Sequence, residues 1–249
     1  MKLYHYTTFA NFCSIWIQQK LKFSTWTNCN DIYEREKIYH YSQQSKEYNG
    51  KKYPLGVLKK FSQEVFKEIE QYRQISFSLG AKRCEGFASP MLWGQYARDH
   101  QRSGVCIEID SSKIKFPKGY KVFRKKVSYR TNILPTHVCG VNAELENAAN
   151  LFVVENRNNL FFTKHWHWKY ENEYRLISKE CQELDISDAI TCVYVLGEDI
   201  ITLQSIKNII QDVEKISFLN IGGLSLKLQK TKLKDYEELQ ELIKNYKWG

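Results

Sequence analysis

Apolar positions recur along the chain with two different periods, and the switches between them mark its elements. "KLYHYT" alternates as a short strand over residues 2–6. Phe9, Phe12, Cys13 and Trp16 then fall at helical spacing, with Thr7 or Thr8 placed to cap the first turn. "STWTNCNDIYERE" is turn chemistry running into a charged helix. Leu58, Phe61, Val65, Ile69 and Tyr72 predict a long amphipathic helix over 55–73. In "ISFSL", Ile75, Phe77 and Leu79 share one face of a strand and Ser76 and Ser78 the other. "ASPMLWGQYARDH" starts as a helix, with Ser89 at the cap, Pro90 in the first turn and a stripe of Leu92, Trp93, Tyr96 and Ala97. "GVCIEID" alternates as a strand, 142–159 reads as a polar-faced helix, and "EYRLIS" as another strand. "AITCVYVL" is almost continuously apolar and predicts a central, buried strand. A helix over 202–214, strand material around 216–230 and a closing helix over 235–246 complete the chain.

Strands and helices mix here without a βαβ rhythm, so the expected class is α+β with mixed, mostly antiparallel sheets and flanking helices. There is no internal repeat and no Pro/Gly-rich linker, and the chain has only four prolines. This predicts one continuous domain over 1–249.

Composition narrows the class without naming a chemistry. At 249 residues, 43 % hydrophobic and 26 % charged, the chain is long enough and apolar enough to bury a sizeable core. No apolar run approaches the ~20 residues of a membrane span, and the start lacks the apolar stretch of a secretory leader. No membrane partner and a cytoplasmic location are expected. Seven scattered cysteines, never in a C-x-x-C pair, argue against a disulfide framework and a structural zinc site.

Charge changes the picture more. The formal net charge is +9, which favours an anionic partner such as nucleic acid, against the blander reading of a lysine-rich solvated surface. Local clusters stand out at "KGYKVFRKKVSYR" and "KLKLQKTKLK", both alternating like strands. The first places Lys121, Arg124, Lys125, Lys126 and Arg130 as candidate phosphate contacts. Tyr120, Phe123 and Tyr129 lie beside them as candidate stacking partners for unpaired bases.

Four segments put polar groups where the pattern alone asks for apolar ones. In "LYHYTT", His5 is either a core histidine satisfied by backbone or part of a nucleotide pocket. In the second, the serines of "SFS" lead toward a helix bearing Trp93, Tyr96 and His100, aromatics that serve either as core or as a ligand clamp. The third, "HWHWKYENEYRLI", is the densest. His165 and His167 would share a strand face, though no spacing nearby supplies a third metal ligand, so no metal is expected. Glu173 and Arg175 would point to one side of the following strand. They form either a surface pair of little worth or, lining a cleft, an arginine that keeps Glu173 ionised and positioned. In the fourth, "TNCNDIYERE", Asn30, Asp31, Glu34 and Arg35 are explained by helix capping. No P-loop, G-x-G-x-x-G, G-x-S-x-G or H-E-x-x-H occurs, which removes the usual support for kinase, P-loop NTPase, Rossmann and zincin readings.

"LYHYT" at Leu3–Thr7, "N-x-N-D-x-x-E" at Asn28–Glu34, "LWGQYARDHQRSGVCIEID" at Leu92–Asp110 and "W-x-Y-E-x-E-Y-R" at Trp168–Arg175 follow one another in order. Together they resemble a bacterial domain-of-unknown-function family, number twenty-nine seventy-one, with a family-like core over 3–177 and sheet completion plus C-terminal helices over 178–249. The opening motif also resembles the first signature of ADP-ribosyltransferase folds, DarT-like enzymes among them. That second resemblance implies an ADP-ribosyltransferase-like split sheet whose separate segments line one NAD⁺ cleft.

It further implies Glu173 as the catalytic carboxylate with Glu171 as its competitor, His5 and Thr7 on the adenosine ribose, and Ser76, Ser78 and Tyr96 on the second segment. Tyr96 or Trp93 would stack on nicotinamide, and Arg175 or Lys164 would meet the pyrophosphate. Cleaving the nicotinamide–ribose bond builds positive charge on the ribose, which a nearby carboxylate stabilises. The implied activity is ADP-ribosyl transfer from NAD⁺ to a nucleic acid or protein, with a toxin or phage-defence role and a regulatory protein partner as corollaries. An NAD⁺ glycohydrolase, a non-catalytic binder of RNA or single-stranded DNA, and a nuclease using Asp31, Glu34 and Glu173 are the competing readings.

Overall fold

The structure, a computed structural model, describes residues 1–26, 34, 47–48, 51–52, 55–80, 85–97, 104–131, 145–196, 205–206, 208–210, 212–222 and 227–232. Its elements run β1 (Lys2–Thr7), α1 (Phe9–Gln18), β2 (Lys20–Lys22), β3 (Ser24–Thr25), β4 (Glu47–Tyr48), β5 (Lys51–Lys52), α2 (Leu55–Glu70) and β6 (Arg73–Ser78). There follow α3 (Pro90–Tyr96), β7 (Val105–Asp110), β8 (Phe123–Lys126), β9 (Ser128–Arg130), α4 (Leu145–Glu155), α5 (Arg157–Phe161) and β10 (Thr163–His165). A 3-10 helix over Trp166–Glu171 leads into β11 (Glu173–Ser178), β12 (Glu183–Asp185), β13 (Ile190–Leu196), β14 (Ile216–Gly222) and β15 (Lys227–Lys232).

The class is mixed α+β with mostly antiparallel pairing. Among the strand pairs whose register is defined, β13 with β14 and β9 with β10 run parallel and the others antiparallel. No helix among the described residues is long and apolar enough to cross a membrane. The chain forms two compact units that interleave in sequence: Met1–Leu21, Phe77–Lys115 and Leu184–Gly249 in the first, Lys22–Ser76 and Phe116–Glu183 in the second.

In the first unit the strand order is β15-β14-β13-β7-β1, and β1 also pairs with the last residues of β6 through Tyr4 and Ser78. The central position expected of "AITCVYVL" is occupied by β13, between β14 and β7. "GVCIEID" departs from its alternating reading, because β7 is covered on both faces and its first five residues are all buried. The alternation put Glu108 toward water. It is instead buried against Tyr194 (2.8 Å), Thr191 (2.8 Å) and Lys2 (3.0 Å), hydroxyl and ammonium donors from β13 and β1. Burial opposes its ionisation, but hydrogen bonds from Lys2, Tyr194 and Thr191 hold its carboxyl below the ordinary range.

The tyrosines of "YHY" belong to this unit's core. Tyr4 packs on Phe87 and Tyr194, and Tyr6 meets Trp93 edge-on at 5.4 Å while its hydroxyl donates to the Gly86 carbonyl at 2.7 Å. The caps read from sequence are present: Thr8 accepts from the Asn11 amide and Ser89 from the Leu92 amide.

Gly104 lies where this unit leaves no room for a side chain. Its amide donates to the Ala97 carbonyl at 2.6 Å, and a Cβ added there would sit 2.1 Å from the Thr7 carbonyl oxygen. Both neighbours are backbone and cannot swing aside. Gly104→Ala is therefore expected to lower stability by about 1–3 kcal/mol, the usual cost of forced overpacking, read by urea denaturation. An unchanged midpoint would mean β1 and the end of α3 move apart freely.

The second unit is built on the strand order β6-β11-β8, with β3 against the first residues of β6. Helices α2 and α4 supply its core: Phe61, Val65 and Ile69 from the first meet Ala149, Phe152 and Val153 from the second, together with Trp26, Phe161 and Ile177. The helix expected over 142–159 is divided at Asn156. Its side chain turns back to the Phe152 carbonyl (2.9 Å), and the chain restarts as α5. "HWHW" also departs from expectation. β10 ends at His165, and the next six residues form the 3-10 helix, closed by Asn172 in a left-handed conformation (φ 43°) that asparagine tolerates well. The helix expected over 235–246, residues 202–204, 207 and 211 of that expected over 202–214, and nearly all of "NCNDIYERE" lie outside the described residues.

Candidate functional site

Four short stretches of the second unit converge on a buried group of five charged side chains. β11 contributes Glu173 and Arg175, β10 contributes Lys164, the end of the 3-10 helix contributes Glu171, and Glu34 arrives from the "NDIYERE" segment. All five are at least nine-tenths buried, and Arg175 is wholly so.

Period-two geometry explains the core of the arrangement. Glu173 and Arg175 point to the same side of β11, as their spacing predicts. The guanidinium Nε donates to Glu173 Oε1 at 2.6 Å and Nη2 to Oε2 at 2.8 Å, a two-pronged grip. The other edge of the same fork holds Glu34 (2.8 and 3.3 Å), and Nη1 also reaches the Phe161 carbonyl at 2.6 Å. Every donor of Arg175 therefore has a partner within the protein. Lys164 Nζ lies 2.6 Å from Glu171, 3.1 Å from Glu173 and 4.0 Å from Glu34. The left-handed turn at Asn172 is what brings consecutive glutamates onto one ammonium.

Glu173 is the best-held carboxylate of the three. Besides both cations it accepts the Ser76 hydroxyl at 2.6 Å, and its own amide donates to the Tyr129 hydroxyl at 2.8 Å. Burial alone would raise its pKa. The charges of Arg175 and Lys164, with the hydrogen bonds from Arg175 and Ser76, override burial and hold the group far below the usual carboxylate range. Burial likewise opposes the charged form of Lys164, yet Glu173 and Glu34 keep its pKa above the ordinary lysine value. Ser76 itself is an exposed residue, so this dry carboxylate is bonded directly to a side chain at the surface.

Three carboxylates against two cations leave the group formally one negative charge in excess. Because folding favours ionised Glu173, its contribution to stability is complete above the ordinary carboxylate pKa of about 4.3 and is lost as pH falls below it. The thermal midpoint of the wild type should therefore drop as pH is lowered from about 5 toward 3, and the drop should be smaller in Glu173→Gln. Parallel acid profiles in calorimetry would contradict the ionised assignment.

The two units divide the sequence-predicted residues. His5, Thr7, Ser78, Trp93 and Tyr96 belong to the first, and Ser76, Lys164, Glu171, Glu173 and Arg175 to the second. Within the first unit, His5 is half-buried and edge-on to Phe77 at 5.9 Å, and Thr7 and Ser78 are buried. Trp93 is a core residue: its indole N–H donates to the Phe87 carbonyl at 2.7 Å and its ring faces Tyr6. Tyr96, near the end of α3, is half-buried.

Within the second unit the expected pyrophosphate contact meets a physical obstacle. Arg175 and Lys164 are engaged by carboxylates, so they hold Glu173 in place and have no open face for a phosphate. Glu34, which the capping explanation set aside, joins the site from 141 residues away. Its place at the end of "N-x-N-D-x-x-E" was the available signal. Among the described residues no three His, Cys, Asp or Glu side chains are grouped to hold a metal.

The cations of "KGYKVFRKKVSYR" are exposed as expected: Lys121, Arg124, Lys125, Lys126 and Arg130 all face solvent. β8, at the end of this unit's strand order, carries three of them, and its Lys126, Lys125 and Arg124 stand opposite Tyr174, Arg175 and Leu176 of β11. The aromatic partners read from sequence are largely committed elsewhere. Phe123 lies under the Arg157 guanidinium at 3.6 Å, and Tyr129 accepts the Glu173 amide.

Residues 92–176 match the family model described as protein of unknown function (DUF2971). The DUF2971 stretch contains Lys164, Glu171, Glu173 and Arg175, and also Glu108, Trp93 and Tyr96. His5, Glu34 and Ser76 lie outside it. No curated protein and no solved structure matches the chain.

Proposed function

We propose that the protein is an NAD⁺-dependent ADP-ribosyltransferase in which Glu173 is the catalytic carboxylate. The observation that carries this reading is the state of Glu173: ionised, rigid and dry, yet bonded to the side chain of Ser76, an exposed residue. Such a group suits a reaction that develops positive charge beside it. In NAD⁺ cleavage the bond between the ribose C1′ and the nicotinamide nitrogen breaks, its electron pair leaves with nicotinamide, and the ribose carries the cationic charge. An acceptor nucleophile then bonds to C1′ and loses its proton.

Arg175 and Glu34 are positioning residues in this scheme, since they touch Glu173 or each other. The excess negative charge of the cluster favours a cationic sugar over a neutral one. The exposed basic residues, with a net charge of +9, favour a nucleic acid as acceptor over an acidic protein.

Incubation with NAD⁺ labelled in the adenylate and mixed RNA, DNA and lysate protein tests the proposal. Label joined to an acceptor, with nicotinamide released, supports it. Nicotinamide release without transfer makes the protein a glycohydrolase with the same carboxylate, and no NAD⁺ consumption with any acceptor rejects the enzymatic reading.

A further inference from the structure

Among the exposed aromatics of the second unit, which include Phe66 and Tyr120, Trp166 belongs to a ring cluster that the core and the charged cluster do not account for. Trp166 is 48 % exposed although tryptophan is normally well covered, and His167 beside it is exposed too. The Trp166 and His167 rings lie 4.6 Å apart, and His167 meets His165 at 4.5 Å, so the three form one continuous ring cluster. β10 ends at His165 in this cluster, and across the parallel pair His165 stands opposite exposed Arg130 of β9. From Arg130 the chain runs back through Ser128 and buried Val127 to Lys126, Lys125 and Arg124 on β8.

Cations thus follow one path from the strand beside β11 to the ring cluster. Four residues of extended chain from Lys126 to Arg130 cover about 13 Å, the reach of two or three nucleotides. The 3-10 helix that begins at Trp166 ends at Glu171, next to Glu173, and carries exposed Lys169. Rings in contact with water, with exposed cations on the adjoining strands, have the chemistry of a platform for unpaired bases.

We propose that Trp166 and His167 stack on bases of a single-stranded nucleic acid whose phosphates run along Arg124, Lys126 and Arg130. This names the acceptor of the transfer proposed above and rests on that reading for its purpose, but the binding itself needs no NAD⁺. A duplex stacks its bases on one another and leaves only its two terminal faces open to these rings, so single strands are preferred. Tryptophan and histidine faces accept any base, so sequence preference is weak. DNA and RNA share the chemistry that is read.

The test is fluorescence anisotropy of full-length protein with labelled oligothymidylate, oligouridylate and a duplex, each about 15 nucleotides long, without NAD⁺. Expected are tighter binding to one or both single strands than to the duplex, and a loss of about tenfold in Trp166→Ala. Trp166→Phe should retain most of the affinity, and His167→Ala should show a smaller loss than Trp166→Ala. Arg130→Ala should reduce the salt slope by about one while leaving base preference unchanged. Equal binding to duplex, or full affinity in both Trp166→Ala and His167→Ala, overturns the platform.

Nicotinamide release in the absence of acceptor is measured on the same variants. Weakened single-strand binding in a protein that never consumes NAD⁺ leaves the platform standing and removes the enzyme. Unaltered binding in a protein that does consume NAD⁺ does the reverse.

Discussion

Glu173→Gln is expected to lower NAD⁺ cleavage by about 10²–10⁴-fold, the range for removing a charge-stabilising or proton-accepting group from a dry site. The substitution keeps the shape and one acceptor oxygen for Ser76, but it removes the negative charge that the proposed reaction would set beside the ribose. It also sets an amide N–H₂ among the donors of Arg175 and Lys164, so far-UV circular dichroism must accompany the kinetics. Glu171→Gln is the control. Glu171 lies 2.6 Å from Lys164, and its loss leaves the paired contacts of Glu173 with Arg175 and Ser76 intact. A much smaller loss in Glu171→Gln than in Glu173→Gln assigns the chemistry to Glu173. The opposite order transfers the role to Glu171, and full turnover in both variants removes the carboxylate mechanism.

Arg175→Met should be the most destabilising single change in the second unit, lowering the unfolding free energy by about 3–5 kcal/mol. The guanidinium is wholly buried and joins Glu173, Glu34 and the Phe161 carbonyl. Without it, three carboxylates are left with one ammonium in a dry interior, and a carbonyl is left without this donor. Taking one member from a buried ion network costs far more than the network contributes net, because the remaining charge has lost both water and partner. Methionine fills similar volume, so the loss measures charge rather than a cavity. Adding Glu34→Gln should recover part of the loss, since the two side chains share one interaction and their effects cannot add. Urea unfolding of the three variants reads this directly. A loss below about 1 kcal/mol for Arg175→Met, as for an exposed pair, would mean that the network is solvated.

The pairing of Glu173 with Arg175 was legible from sequence because a strand places every second residue on one side. That rule says nothing about which side is dry. The alternatives of surface pair and positioned carboxylate differ only in what covers β11, and the cover comes from α5, β10 and Glu34. Glu108 shows the same limit. Alternation in "GVCIEID" put it on a polar face, whereas β13 and β1 bring hydroxyl and ammonium donors to bury it. Trp93 stood for core or clamp at helical spacing, and its packing against Tyr6 places it in the core.

Local chemistry by itself determined where most elements begin and what caps them: Thr8 before α1, Ser89 and Pro90 at α3, and the apolar stripe of α2. It also determined that β13 is central and that the chain carries an excess of positive charge, because these depend on side-chain spacing, backbone capping and composition alone. The tertiary structure alone decided that Glu34 meets Arg175 across 141 residues, that two neighbouring glutamates close on Lys164, and that Trp166 and His167 of "HWHW" stand at the surface. Those outcomes depend on long-range closure and on the withdrawal of water from particular groups. Both are properties of the packed molecule, and no short window of sequence contains them.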